Sequence, residues 1–147
     1  MVQQRDLDIV LNNPADWTKL KDATVLVTGA TGRLGIYIVG ALLEASKRWN
    51  LNVEVLALAR NKDKIQAAYG DGAENLKILQ QDITEKITYE GKVDYIFHTA
   101  GLASPDDFTH RPTNTLWGHV QGTKNVLDLA KEKHTKKVLY VSTVEVY

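Results

Sequence analysis

Two rhythms of apolar and polar residues alternate along positions 23–147. Short apolar runs, rich in β-branched residues, stand at Val25-Leu26-Val27, Val53 to Ala59, Leu76 to Leu79, Val93 to Phe97 and Val138 to Val141. Runs this short, apolar on successive positions, suit strands buried on both faces of a parallel sheet. Between them apolar residues recur at helical spacing. Residues 33–48 carry Leu34, Ile38, Ala41, Leu42 and Ala45 on one face. Asn61 to Ala68 reads as a short helix capped by Asn61. Thr115 to Lys133 reads as a long helix, with Leu116, Val120, Thr123, Val126, Leu127 and Ala130 turned to the core. This alternation predicts an α/β chain: five parallel strands joined by right-handed crossovers into a doubly wound sheet.

Residues 1–22 show neither rhythm. They read as a polar leader with a turn at Asn13-Pro14-Ala15-Asp16, from which Trp17 and Leu20 reach back to the body. The expected organisation is this leader followed by one domain, 23–147, truncated after its fifth strand.

Composition removes several classes of partner. The 18 Lys and Arg residues balance 18 Asp and Glu, so charge gives no reason to expect nucleic acid or an anionic membrane. With no cysteine, neither a disulfide nor a thiolate metal site is possible, and the four histidines are not paired at ligand spacing. The expectation is no metal. The first 22 residues lack the apolar core of a signal peptide, and no stretch has the length of a membrane span, which makes a cytoplasmic protein the default.

Chemistry enters directly after the first strand, at Thr28-Gly29-Ala30-Thr31-Gly32-Arg33-Leu34-Gly35. In a strand–turn–helix setting each glycine has a distinct use. Gly29 takes the tight turn off the strand, Gly32 lets the backbone approach a pyrophosphate, and Gly35 lets the helix pack closely. The helix that follows offers its N-terminal N–H groups to phosphates. A Rossmann-type dinucleotide site is therefore expected, with Gly29, Thr31, Gly32, Arg33, Leu34 and Gly35 around the cofactor. Where NAD binders place an acidic residue after the second strand, this chain has Arg60 with Lys62 nearby. Together with Arg33 they suit a 2′-phosphate, favouring NADP over NAD. Asp63 is the alternative ribose acceptor.

The glycine motif resembles that of the extended short-chain dehydrogenase/reductase family, which includes nucleotide-sugar epimerases, decarboxylases and dehydratases. The resemblance runs through nearly all of residues 23–147. It implies that Asp82 and Ile83, after the third strand, contact adenine, although Asp82 reads equally as a turn residue. It implies that Thr99, Ala100 and Gly101 lie along the cofactor; His98 before them is read as structural. Leu102-Ala103-Ser104-Pro105 resembles the loop of the UDP-glucuronate decarboxylases. Gly118 to Thr123 resembles the family's Asn-x-x-Gly-Thr stretch, with His119 in place of asparagine.

Ser142-Thr143-Val144-Glu145-Val146-Tyr147 resembles the end of the family's fifth strand. By that match Thr143 bonds the sugar 4-oxygen and Glu145 abstracts a proton beside a transient ketone. Val144 stands where dehydratases carry an aspartate acid, which favours epimerisation or decarboxylation over dehydration. No tyrosine in the chain has a lysine four residues later. The resemblance implies that this Tyr-x-x-x-Lys pair lies beyond Tyr147, so these 147 residues alone are not expected to turn over a nucleotide sugar. Two alternatives stay open, an NADPH-dependent thioester or acyl reductase of the same superfamily and a non-catalytic dinucleotide-binding module. The apolar fifth strand, left as a sheet edge, is expected to favour a homodimer or aggregation.

Overall fold

The computed structural model describes residues 2–70, 74–102 and 104–142, apart from the side chain of Lys62. Its elements are α1 (Gln4–Leu11), β1 (Thr24–Thr28), α2 (Arg33–Arg48), β2 (Glu54–Ala59), α3 (Lys62–Tyr69), β3 (Leu76–Gln80), β4 (Tyr95–His98), α4 (Pro105–His110), α5 (Pro112–Glu132) and β5 (Lys137–Tyr140). The strands form one parallel sheet in the order β3-β2-β1-β4-β5. From β1 the chain winds outward through β2 and β3, then returns to the other side for β4 and β5. The reversal lies between β1 and β4, where doubly wound sheets open a crevice for ligands.

All five residues of β1 are buried, and successive side chains point to opposite faces. Val25 and Val27 join Val39, Leu42, Val53 and Val55 on the face covered by α2. Leu26 joins Leu56, Leu58, Ile96, Val126 and Leu129 on the face covered by α5. Each such side chain contributes about 1.5–3 kcal/mol on burial. The two layers together fix the central strands, and with them the loops at their carboxyl ends.

The predicted strands and the short capped helix stand close to their expected places. The Asn61 side chain accepts a bond from the Lys64 amide at 2.9 Å. The long helix buries a face that keeps Val126 and Ala130 of the expected stripe but is turned away from Leu116, Val120 and Leu127. Thr115, Gly122, Asn125, Val126 and Leu129 are inside, whereas Leu116, Val120 and Leu127 are exposed. The helix meets the segment after β3 through small and polar residues, Gly122 and Asn125, which a count of apolar positions does not weigh. On α2, Leu34 is exposed while the adjacent Gly35 is buried, so Leu34 lies off the inward face. The six-residue α4 has no apolar period; Ser104 caps it, accepting from the Asp107 amide at 3.1 Å.

Part of the expected leader is structured. Leu7 and Leu11 of α1 are buried. The Tyr37 hydroxyl of α2 donates to Asp6 at 2.8 Å, and Arg48 at the end of α2 reaches Asp8 at 2.6 Å. Trp17 and Leu20 pack on the core as expected, and Trp17 stacks on Trp49 with ring centroids 5.8 Å apart. Only two apolar positions of α1 face the body, too few to register as a period. Among the described residues, no helix is long and apolar enough to cross a membrane.

Candidate functional site

The carboxyl ends of β1, β2 and β4 open into a cleft of about 510 Å³. Its walls come from the glycine loop, the ends of β2 and β3, the segment after β4 and the first turns of α5.

Backbone contact shapes the glycine loop. Gly29 has φ of +66°, and a Cβ there would lie 2.8 Å from the Ala100 amide nitrogen. A Cβ on Gly35 would lie 2.2 Å from the Gly29 carbonyl oxygen, so α2 starts directly on the loop. The Gly32 amide closes the turn by donating to Gly29 O at 2.8 Å. The first turn of α2 then presents N–H groups that have no partner within the helix, next to the cleft. A clamp not foreseen from sequence holds the loop from α3: the Tyr69 hydroxyl donates to the Ala30 carbonyl. Burial pushes that hydroxyl's pKa well above its ordinary value.

Beneath the cleft the ends of β1 and β4 are tied together. The Thr28 hydroxyl lies 2.7 Å from His98 Nδ1 and accepts from the Ala100 amide at 3.2 Å, while Thr99 Oγ1 donates to Thr28 O at 2.7 Å. His98 Nε2 lies 3.3 Å from Thr123 Oγ1. With the proton on Nε2, Thr28 donates to Nδ1 and His98 donates to Thr123, so both ring nitrogens are used; that tautomer is assigned from the network. Burial, with the His119 ring nearby, lowers the His98 pKa to about 4. His98 thus links β1, β4 and α5 through both ring nitrogens in its neutral form. The link has a pH signature. The unfolded chain takes up a proton near 6.5 while the folded chain resists until about 4. Stability is therefore fully present above pH 6.5 and declines as pH falls through that window, by up to about 3 kcal/mol at 1.36 kcal/mol per unit. Urea unfolding at pH 7 and pH 5 is expected to show this loss, and to show less of it in His98→Asn; equal losses in the two proteins would contradict it.

Asp82 and Arg60 face each other across the rim, Arg60 Nη1 standing 3.4 Å from Asp82 Oδ2. Burial raises the Asp82 pKa, but two bonds from Thr84 and the Arg60 guanidinium outweigh it and hold the carboxyl below the ordinary range. As a turn residue Asp82 accepts from the Thr84 amide through Oδ1 at 2.9 Å, and it also lines the cleft. Ile83 is seated against α5, where a Cβ on Gly122 would come within 3.1 Å of it. Asn125 Nδ2 donates to the carbonyls of Ile83 and Glu85, both at 2.8 Å. At the α4–α5 corner the buried Asp107 carboxylate accepts from Ser104 Oγ at 2.7 Å and pairs with Arg111, a cleft residue. The Ser104 bond, with Arg111, keeps that carboxyl's pKa low. His119 lies over Gly101, and its Nε2 is 3.1 Å from Leu102 O.

Nine of the residues expected around a cofactor line this cleft: Gly29, Thr31, Gly32, Arg60, Asp82, Ile83, Thr99, Ala100 and Gly101. Arg33 and Leu34 are exposed on the first turn of α2 outside its lining, and Gly35 is buried beneath the loop. Thr143 and Glu145 lie outside the described residues. Lys64, Arg111, Asn114 and Trp117 line the cleft without having been foreseen. Lys64 stands one helical turn past Arg60, a spacing visible in the sequence; the other three depend on how α4 meets α5. With Arg60 paired to Asp82 and Arg111 to Asp107, Lys64 leaves the cleft cationic in a chain of zero net charge. Cations and helix N–H groups around a glycine turn suit a ligand rich in phosphate.

Residues 25–147 match the NAD dependent epimerase/dehydratase family. The chain belongs to this family. It is 33% identical over 126 residues to UDP-glucuronic acid decarboxylase 6 of Arabidopsis thaliana, covering 84% of this chain and 34% of that protein. Among solved structures, the UDP-N-acetylglucosamine 4-epimerase of Methanobrevibacter ruminantium is 28% identical with a TM-score of 0.70, covering 86% of this chain and 40% of that one. The dTDP-glucose 4,6-dehydratase of Streptomyces venezuelae, solved with NAD bound, is 25% identical with a TM-score of 0.66, covering 78% of this chain and 38% of that one. The chain spans about a third of the length of the curated relatives it matches.

Proposed function

We propose that this chain binds the nicotinamide dinucleotide of an enzyme that modifies nucleotide sugars through transient oxidation at the sugar 4-position, by epimerisation or decarboxylation. The carrying observation is the cationic cleft at the switch point, where the glycine loop, Arg60, Asp82-Ile83 and Thr99-Ala100-Gly101 converge. The likeness to a UDP-glucuronic acid decarboxylase supports the sugar-nucleotide class.

In this reading Gly29 to Gly35 hold the pyrophosphate, with Thr31 and the first turn of α2 as donors. Asp82 accepts from the adenine amine against Ile83. Thr99 to Gly101 lie along the nicotinamide half, and Arg60 with Lys64 meets the ribose 2′-position. When bound, the cofactor supplies hydride acceptance and return. Thr143 would then bond the sugar 4-oxygen and Glu145 would move the proton beside the ketone. A cytoplasmic homodimer, with a nucleotide sugar as partner, completes the reading. The acyl-reductase alternative shares Arg60 and the glycine loop; likeness to the sugar enzymes favours the first.

Arg60 decides which dinucleotide is preferred. A charge-assisted bond to a 2′-phosphate contributes roughly 1.5–3 kcal/mol, which is about a ten- to hundredfold in affinity. Calorimetric titration is expected to show NADP bound more tightly than NAD, and Arg60→Ala to weaken NADP by that factor with little change in NAD. Equal weakening of both would assign Arg60 only to its pair with Asp82.

A further inference from the structure

Three residues of α5 and the Arg111 before it, Arg111, Asn114, Trp117 and Gly118, line the same cleft as Asp82 and Ile83. Trp117 is 57% exposed. The other described tryptophans, Trp17 and Trp49, stack on each other in the layer of α1 and α2. Among the described residues no ring or cation stacks on Trp117. Beside it a Cβ on Gly118 would meet nothing within 4 Å, so the wall has an open slot. One turn further, Gly122 and Asn125 hold Ile83 and its carbonyl, so the segment that carries Asp82 packs against the same helix. A large ring left open beside a slot, in a cleft carrying Arg60, Lys64 and Arg111, matches a planar heterocycle that bears phosphates.

We infer that Trp117 stacks on the adenine of the dinucleotide, with the base seated in the slot beside Gly118. Adenine fits better than uracil because Asp82 lines the same cleft. Adenine presents an exocyclic amine to a carboxylate, whereas the only base donor of uracil, N3–H, is flanked by two carbonyl oxygens that a carboxylate repels. The inference rests on the cofactor reading above and adds a residue that the family resemblance does not assign. Trp117 is a binding residue here and takes no part in proton or hydride movement.

The test titrates the full chain by calorimetry with AMP, UMP, nicotinamide mononucleotide and NADP, following tryptophan emission in parallel. AMP is expected to bind more tightly than UMP and to quench emission, and the quenching is expected to disappear in Trp117→Phe. Trp117→Ala is expected to weaken AMP and NADP about tenfold and to leave nicotinamide mononucleotide unchanged, with Trp117→Phe recovering most of the loss. An exposed side chain of this kind is removed with little effect on folding. Gly118→Leu, which fills the slot and leaves Trp117 in place, is expected to weaken AMP likewise. AMP bound equally by the parent and Trp117→Ala would overturn the inference while NADP binding still stood. So would a change confined to sedimentation, which would assign Trp117 to a protein interface with Leu116 and Val120. A parent chain that binds neither NADP nor AMP would overturn the cofactor reading itself.

Discussion

Gly35→Ala is expected to lower stability by about 3 kcal/mol, which for a chain of this size lowers the melting temperature by roughly 10 °C. The same substitution at Gly118 is expected to leave it unchanged or raise it. Both glycines lie in helices, where alanine is preferred by about 1 kcal/mol. The difference between the sites is steric. At Gly35 the new Cβ would sit 2.2 Å from the Gly29 carbonyl oxygen and 2.8 Å from the Ala30 Cα, both backbone atoms of a loop already bound to Ala100 and Tyr69. Neither atom can yield by rotating a side chain, so α2 must move off the loop. At Gly118 nothing lies within 4 Å. Thermal unfolding followed by circular dichroism compares the pair directly. A Gly35→Ala melt matching the parent would show that the close approach of helix and loop is not a requirement of the fold.

Asn125→Ala is expected to cost about 2–4 kcal/mol. The Asn125 amide donates to both Ile83 O and Glu85 O at 2.8 Å, and its Oδ1 accepts from Gln121 Nε2 at 2.9 Å. Alanine leaves the two carbonyls without their donor and opens a void beside Ile83. Asn125→Asp keeps the shape but removes the donors and brings a carboxylate against carbonyl oxygens, so it is expected to be at least as harmful. The urea midpoint should fall in both variants with an unchanged slope. Hydrogen exchange should speed up around residues 83–86. Tolerance of aspartate would mean that packing, and not hydrogen bonding, holds the Asp82–Thr84 turn.

These residues show where sequence reading succeeds and where it stops. Val25-Leu26-Val27 was legible as a central strand because one strand buried on both faces leaves an unbroken apolar run. The glycine loop was legible because steric exclusion acts over a few neighbouring residues, and the structure places each of its glycines where a Cβ would crowd or strain the backbone. The inward face of α5 was not legible. Its contact with the Ile83 segment is made by Gly122 and Asn125, a gap and a hydrogen-bonding side chain, so the apolar stripe of Leu116, Val120 and Leu127 points outward. Arg111 and Trp117 reach the cleft only through the corner between α4 and α5, which no local pattern encodes. In α1 only Leu7 and Leu11 are buried, and two apolar positions make no period. Arg33, expected at the cofactor from its place in the motif, is exposed on the first turn of α2 beside the glycine loop.

The central claim is that the cleft between the glycine loop and the ends of β2, β3 and β4 holds a nicotinamide dinucleotide. A titration of the isotopically labelled chain with NADP, following backbone amide resonances, tests it most directly. The expected result is saturable shifts concentrated at Gly29 to Leu34, at Arg60, at Asp82 to Thr84 and at Thr99 to Gly101, with the amides of α1 and the Trp17–Trp49 layer unmoved. Saturable shifts confined to some other surface, or none at all on a folded chain, would contradict it.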